Sequence, residues 1–336
     1  MSIAMPAATP LATSTTAPAA LATPVAAPPR PSDHSSQHRA LRFDTRVPRA
    51  GVHKSAAGEV LLTDALRLGA DRFAIAAIWP RNHLLSHRPE ARTSDPLLLV
   101  ETARQAAIYL SHSFFDVPPG FPFVMQDLDF AIDTPELPGG GRAPLPVMLD
   151  ATCVRTITGQ RCRFALEAVL IVDGRRCGRI GVRWEVLTPT RYDALRRRAA
   201  ASAGAGGGVP ATGMPGEPLA PSRFGHRKER DVLLAADPAL PVGSWRLRLD
   251  QSHPVIFDHA SDHIPGTALL EAFRQAGVLS APGWTLAGAR VAFHSFGELT
   301  PAVTVTARSD GRFVEVGAVQ GGRTLASAVL LGGNRC

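Results

Sequence analysis

One short pattern occurs twice in the chain, about 170 residues apart. The first copy is Asp95-Pro-Leu-Leu-Leu-Val-Glu101-Thr-Ala-Arg104-Gln105-Ala106; the second is Pro265-Gly-Thr-Ala-Leu-Leu-Glu271-Ala-Phe-Arg274-Gln275-Ala276. Self-similarity at this separation points to one architectural unit used twice. Each copy is apolar almost all round, as a buried helix is. Each nevertheless carries Glu, Arg and Gln at its centre, and such groups are seldom buried unless they are paired or functional. Glu101, Arg104, Gln105, Glu271, Arg274 and Gln275 are therefore the leading candidates for a site.

The surroundings of the two helices repeat as well. Phe73–Trp79 reads as a strand closed by Pro80, and a loop with His83 and His87 follows. Ser94 or Asp95 can cap the first helix, Pro96 suits its first turn, and Pro118-Pro119-Gly120 ends it. Strands are predicted over 121–132, 147–157, 163–172 and 179–186, with Asp173-Gly174 as a hairpin turn. The pattern then restarts: strands over 245–249 and 255–257, a loop with His259 and His263, a helix over 265–279, and strands over 288–295, 302–308, 313–319 and 324–331. A long buried helix wrapped by an antiparallel sheet is the α+β hotdog arrangement, here doubled. Such units pair edge to edge, so a tandem chain predicts an intramolecular pseudo-dimer. The expected division is a disordered Ala/Pro-rich segment 1–45, a first hotdog domain 46–198, a Gly/Ala/Pro-rich linker 199–224 and a second hotdog domain 225–333.

Hydrophobic residues make up 45% and charged residues 19% of the chain, the balance of a soluble globular protein. The net charge of +7 suits acidic partners. No helix-turn-helix, zinc-finger or Arg/aromatic pattern favours nucleic acid. The basic runs Arg196-Arg197-Arg198 and 223–230 read as solvated flanks of the linker. No run approaches the ~18 apolar residues of a membrane span, and the proline-broken N-terminal segment lacks a basic leader for a signal peptide. Cys153, Cys162, Cys177 and Cys336 lack metal-ligand spacing, which predicts reduced thiols in the cytoplasm. His83-x-x-x-His87 and His259-x-x-x-His263 have helical metal spacing but lie in loops without a third ligand, so no metal and no bound cofactor are expected.

The series His259, Pro265-Gly266, Glu271-Ala272 resembles the His, Pro-Gly, Glu-Ala signature of 3-hydroxyacyl carrier-protein dehydratases, with a shorter His-to-Glu spacing. A fuller resemblance is to the A-factor biosynthesis (AfsA-like) family. Its second repeat is matched by His253-Pro254, Phe257-Asp258-His259, Asp262-His263, Pro265-Gly266, Glu271-Ala272 and Arg274-Gln275-Ala276. Its first repeat is matched by Asp95-Pro96-Leu97, Glu101-Thr102, Arg104-Gln105-Ala106, His112 and Pro118. The resemblance runs from about residue 47 to 331. It implies transfer of a 3-oxoacyl group from the phosphopantetheine of an acyl carrier protein to dihydroxyacetone phosphate, on the way to a γ-butyrolactone or butenolide signal.

Such a reaction needs a group that activates a hydroxyl, a positive site for phosphate and a slot for the acyl chain. A carboxylate desolvated on a buried helix has a raised pKa, so Glu101 or Glu271 is expected as general base, with His259 and His263 as further catalytic candidates. Arg104 and Arg274 are expected to hold phosphate or an oxyanion, beside Gln105 and Gln275. The alternative for each Glu–Arg pair is an i, i+3 ion pair within its own helix. Six more residues separate His87 from Glu101 than separate His263 from Glu271, which predicts two unequal sites with one mainly scaffold. Rival functions on the same fold are a thioesterase or dehydratase acting on acyl thioesters, and a non-catalytic acyl-binding regulator.

Overall fold

The computed structural model describes residues 36, 40–80, 83–85, 93–139, 141, 143–204, 216–281 and 283–333. His87, Cys336, most of the Ala/Pro-rich segment and the Gly-rich centre of the linker lie outside the described residues.

Strands β1 (Leu62–Arg67) and β2 (Arg72–Trp79) precede helix α1 (Leu97–Phe114). The alternation of β2 turns Phe73, Ile75, Ala77 and Trp79 toward the core that contains α1, while Ala74 and Ala76 face the other side. Period-2 patterning thus seats the helix on one face. The Asp95 carboxylate accepts from the Leu97 N–H at 2.8 Å, capping α1 as its sequence suggests. At the other end Arg67 and Arg155 donate to the carbonyls of Phe114 and Phe115 at 2.6 and 2.8 Å, satisfying acceptors that the helix leaves over.

Four strands follow: β3 (Phe123–Ile132), β4 (Leu145–Thr158), β5 (Arg161–Val172) and β6 (Arg175–Val186). Asp173 and Gly174 join β5 to β6 with φ of 49° and 73°, the paired positive values that a type I′ hairpin requires. Helix α2 (Pro189–Gly204) comes next, then β7 (Glu217–Pro218), β8 (Leu234–Ala236), β9 (Ser244–Leu247), helix α3 (Gly266–Ser280), and β10 (Thr285–Phe293), β11 (Thr304–Ser309), β12 (Phe313–Gln320) and β13 (Arg323–Gly333).

All these strands form one antiparallel sheet in the order β1-β2-β4-β5-β6-β3-β10-β13-β12-β11-β9-β8-β7. The seam is β3 against β10, with Val291 opposite Leu128. Outward from it, β6, β5, β4, β2 and β1 on one side answer β13, β12, β11, β9 and β8 on the other. Each half carries one buried helix, α1 or α3, so the α+β hotdog reading holds. Among the described residues no helix is long and apolar enough to cross a membrane.

Several expectations need correction. Order begins before residue 46: Leu41 and Phe43 pack on the outer face of the sheet with Ala74, Ala76 and Met148. Residues 199–204, expected in the linker, end helix α2; Thr188 accepts from the Arg191 N–H and Pro189 fills the first turn ahead of an Ala/Arg-rich run. Val255–Phe257 is a turn rather than a strand. Its N–H groups are taken by His253, whose Nδ1 accepts from Val255 and Ile256 and whose carbonyl accepts from Phe257. Arg196 is no solvated flank, for it grips Glu298 through two bonds of 2.7 and 2.9 Å and Asp262 at 2.9 Å. These contacts tie α2 across the second half.

Candidate active site

The polar residues at the centre of α1 form a closed set of bonds. Glu101 accepts from Arg104 Nε and Nη2, both at 2.9 Å, from Gln105 Nε2 at 2.8 Å, and pairs with Lys54 Nζ at 3.2 Å. Gln105 also donates to the Glu59 carbonyl and accepts from the Leu61 N–H, each at 2.8 Å. Helix α3 repeats this bond for bond. Glu271 accepts from Arg274 at 2.8 and 2.6 Å and from Gln275 at 2.7 Å, while Gln275 holds the Asp231 carbonyl and the Leu233 N–H, both at 2.9 Å. His83 meets Glu59 at 2.9 Å as His253 meets Asp231 at 3.0 Å. The structural counterpart of His83 is therefore His253, not a residue of the loop that carries His259 and His263. One member differs: Lys54 is answered by His226, whose Nε2 lies 2.8 Å from Glu271.

The sets differ in access. Glu101, Arg104 and Lys54 line a cavity of about 690 Å³, whose wall also includes Asp258, His259 and His263 from the second half. Glu271 and Gln275 are fully buried and Arg274 is 6% exposed; none of the three lines that cavity. The Asp258 carboxylate accepts from the backbone N–H groups of Ser55 and Ala56 at 2.6 and 2.9 Å, which pins the second half's loop beside Lys54. His259 stays exposed, with Nδ1 3.6 Å from Asp258. His263 Nδ1 lies 2.7 Å from Asp262 and 3.3 Å from the Tyr192 hydroxyl of α2. Much of the remaining wall is apolar, including Val100, Ile108, Leu270 and Phe293. An acyl chain has a slot there.

Electrostatics overturn one expectation. Burial pushes the Glu101 carboxyl up, but Arg104 and then Lys54 outweigh it and hold the group well below the usual carboxylate range. Glu271 is likewise held far down, because Arg274 and His226 outweigh burial. The raised pKa expected from desolvation alone does not occur, since each carboxylate has hydrogen-bonded cations as partners. With both oxygens engaged, neither is free to collect a proton from substrate. Asp258 is lowered too: burial raises it, and the Ser55 and Ala56 N–H groups and Lys54 lower it further.

Residues 35–188 and 215–332 match the A-factor biosynthesis hotdog domain. The chain belongs to that family. A relative from Streptomyces virginiae, 2-oxo-3-(phosphooxy)propyl 3-oxoalkanoate synthase, is 39% identical over 68% of this chain and 75% of its own length. The synthase of the same name from Streptomyces griseus is 32% identical over 84% of this chain and 93% of its own. Among solved structures the chain is similar to the 12:0-ACP thioesterase from Umbellularia californica, with a TM-score of 0.51 at 10% identity over 80% of this chain and 99% of that one. At that identity the likeness concerns the fold alone.

Within this A-factor family member, the cavity brings together Glu101, Arg104, His259 and His263 of the predicted site residues. Glu271, Arg274 and Gln275 gather in the buried second set, with Asp95 Oδ2 4.0 Å from Arg274. Every polar atom of Gln105 and Gln275 is used on backbone and glutamate, so each serves to hold the strand entrance and orient its Glu. Sequence reading missed Lys54, His53 and His226. Aligning Glu59-Val-Leu-Leu with Asp231-Val-Leu-Leu finds the two sets, since both segments follow a turn of chain carrying Lys54 or His226 seven residues before Leu61 or Leu233.

Proposed function

We propose that the cavity beside α1 is where a 3-oxoacyl group passes from the thioester of an acyl carrier protein to the hydroxyl of dihydroxyacetone phosphate. The protein is an acyltransferase of the A-factor synthase type, as its relatives' names state of themselves. The observation that carries this reading is the meeting, in one cavity with a largely apolar wall, of Lys54 and Arg104 from the first half with His259 from the second. The acceptor's phosphate is held by Lys54 and Arg104, whose shared partner Glu101 fixes them in place. The acyl chain lies along the apolar wall. His259, exposed at the rim with Asp258 behind Nδ1, hydrogen-bonds the thioester as charge builds on its carbonyl.

The tandem halves, seamed through β3 and β10, act as an intramolecular pseudo-dimer in which the α1 set works and the α3 set is scaffold. The acyl carrier protein partner follows from the thioester donor.

The test is mass spectrometry of the purified protein with a 3-oxoacyl thioester, with and without dihydroxyacetone phosphate. A phosphorylated acyl ester or butenolide formed only with both substrates, and lost in folded Arg104→Ala, supports the transferase. Release of free acid at the same rate without the acceptor moves the protein to the thioesterases.

A further inference from the structure

One histidine of the cavity has a geometry that its counterpart cannot supply. His53 sits at the end of a short helical turn, Arg49–Val52, with φ of 53°. The same place in the second half, after Pro221–Phe224, is held by Gly225 with φ of 77°. A left-handed position favours glycine, and only the first half places a side chain there. Non-glycine residues held in this region concentrate at functional sites.

That side chain is fixed. His53 Nε2 lies 2.9 Å from His112 Nε2, and His112 Nδ1 lies 2.7 Å from the Val117 carbonyl. A carbonyl only accepts, so His112 Nδ1 carries its proton. In the neutral pair His112 Nε2 is then the acceptor and His53 Nε2 the donor. His53 Nδ1 is left without a proton. The His53 ring lines the cavity, with Phe123 edge-on at 5.1 Å between centroids.

Resting on the acyl transfer proposed above, we infer that His53 Nδ1 takes the proton of the attacking hydroxyl, and that His112 is the positioning residue that keeps this nitrogen bare. The acceptor O–H proton moves to Nδ1 as its oxygen forms the C–O bond to the thioester carbon. The C–S bond then breaks, and the proton passes from Nδ1 to the departing sulfur. The ester and the free thiol of the carrier arm leave, and His53 returns to its neutral form. Burial, His112, Arg104 and His259 together bring the His53 pKa down to about 4, so the accepting form is the resting form at neutral pH. Glu101 cannot take this part, because Arg104, Lys54 and Gln105 occupy its oxygens.

The experiment compares wild type, His53→Asn and His112→Ala for product formation across pH. Asn tolerates a left-handed backbone, and thermal melting checks the fold of both variants. His53→Asn is expected to lose roughly 100-fold or more in kcat, a general-base effect, with KM for the acceptor changed less than threefold. His112→Ala is expected to keep measurable activity, with the acid limb of its kcat profile moved up from about 4 toward the ordinary histidine value of 6.5. If His53→Asn stays within threefold of wild type, or if the acid limb is unmoved in His112→Ala, the inference is overturned while the transferase stands. A wild type that releases free acid instead of ester overturns the transferase alone, and the same His53→Asn ratio then judges His53 against water as the attacking group. A wild type that turns over nothing overturns both.

Discussion

Glu101 and Glu271 are carboxylates that burial would neutralise and cations keep charged. A group whose folded pKa is depressed contributes stability above its unfolded pKa, about 4.3 for Glu, and loses it as pH falls toward the folded value. The urea midpoint is therefore expected to hold from pH 7 to about 5 and to fall below about 4.3. Glu271→Gln should flatten that acid limb, and an unchanged limb would count against the ionised pair. Lys54 bears on substrate instead. Lys54→Ala is expected to raise KM for the phosphorylated acceptor about tenfold to hundredfold, the worth of a charge-assisted bond, and to leave unphosphorylated dihydroxyacetone unaffected; steady-state kinetics with both acceptors checks this. Gln275→Leu strands the buried Leu233 N–H and should cost about 1–3 kcal/mol of stability, read from denaturant unfolding. At this scale the sequence singled out Glu, Arg and Gln and offered the i, i+3 ion pairs that the helices form, but not the further partners Lys54 and His226, which lie on other segments.

Among the elements, α1 and α3 were legible almost to the residue, since apolar periodicity and capping residues are local signals. Helix α3 also depends on closeness to the sheet. A Cβ on Gly277 would meet the Trp284 ring at 2.8 Å and Leu330 at 3.2 Å. Gly277→Val is expected to destabilise the protein by roughly 1–3 kcal/mol through overpacking, seen as a lower melting temperature. Helix α2 was hidden by the Ala/Gly run that continues it, and its strongest anchor, Arg196, is satisfied by Asp262 and Glu298 far along the chain. Arg196→Ala should raise amide exchange across 189–204 while leaving α1 protected, as a locally opening element does.

For the whole molecule, the seam between β3 and β10 makes two half-sheets into one. Gly288 stands there with only 2.7 Å between a built Cβ and the Phe130 carbonyl. Gly288→Val is expected to part the seam and lower the melting temperature of both halves in a single transition, whereas two separate transitions would mean that the halves fold independently. The duplicated motif by itself determined the hotdog reading and the family resemblance, because hydrophobic periodicity and motif spacing are properties of contiguous residues. Which of the duplicated sets opens to a cavity was decided only by the tertiary structure. The α1 set faces the loop of the other half, Asp258 pins that loop to Ser55 and Ala56, and Lys54 stands where the α3 set has His226. The Asp258 contacts join residues some two hundred positions apart, whereas each carboxylate is held down first by the arginine three residues on in its own helix and then by Lys54 or His226 from another segment. Burial and the i, i+3 arginine can be read from a sequence pattern, but the second positive partner of each carboxylate and its access to a cavity depend on what the fold brings next to it.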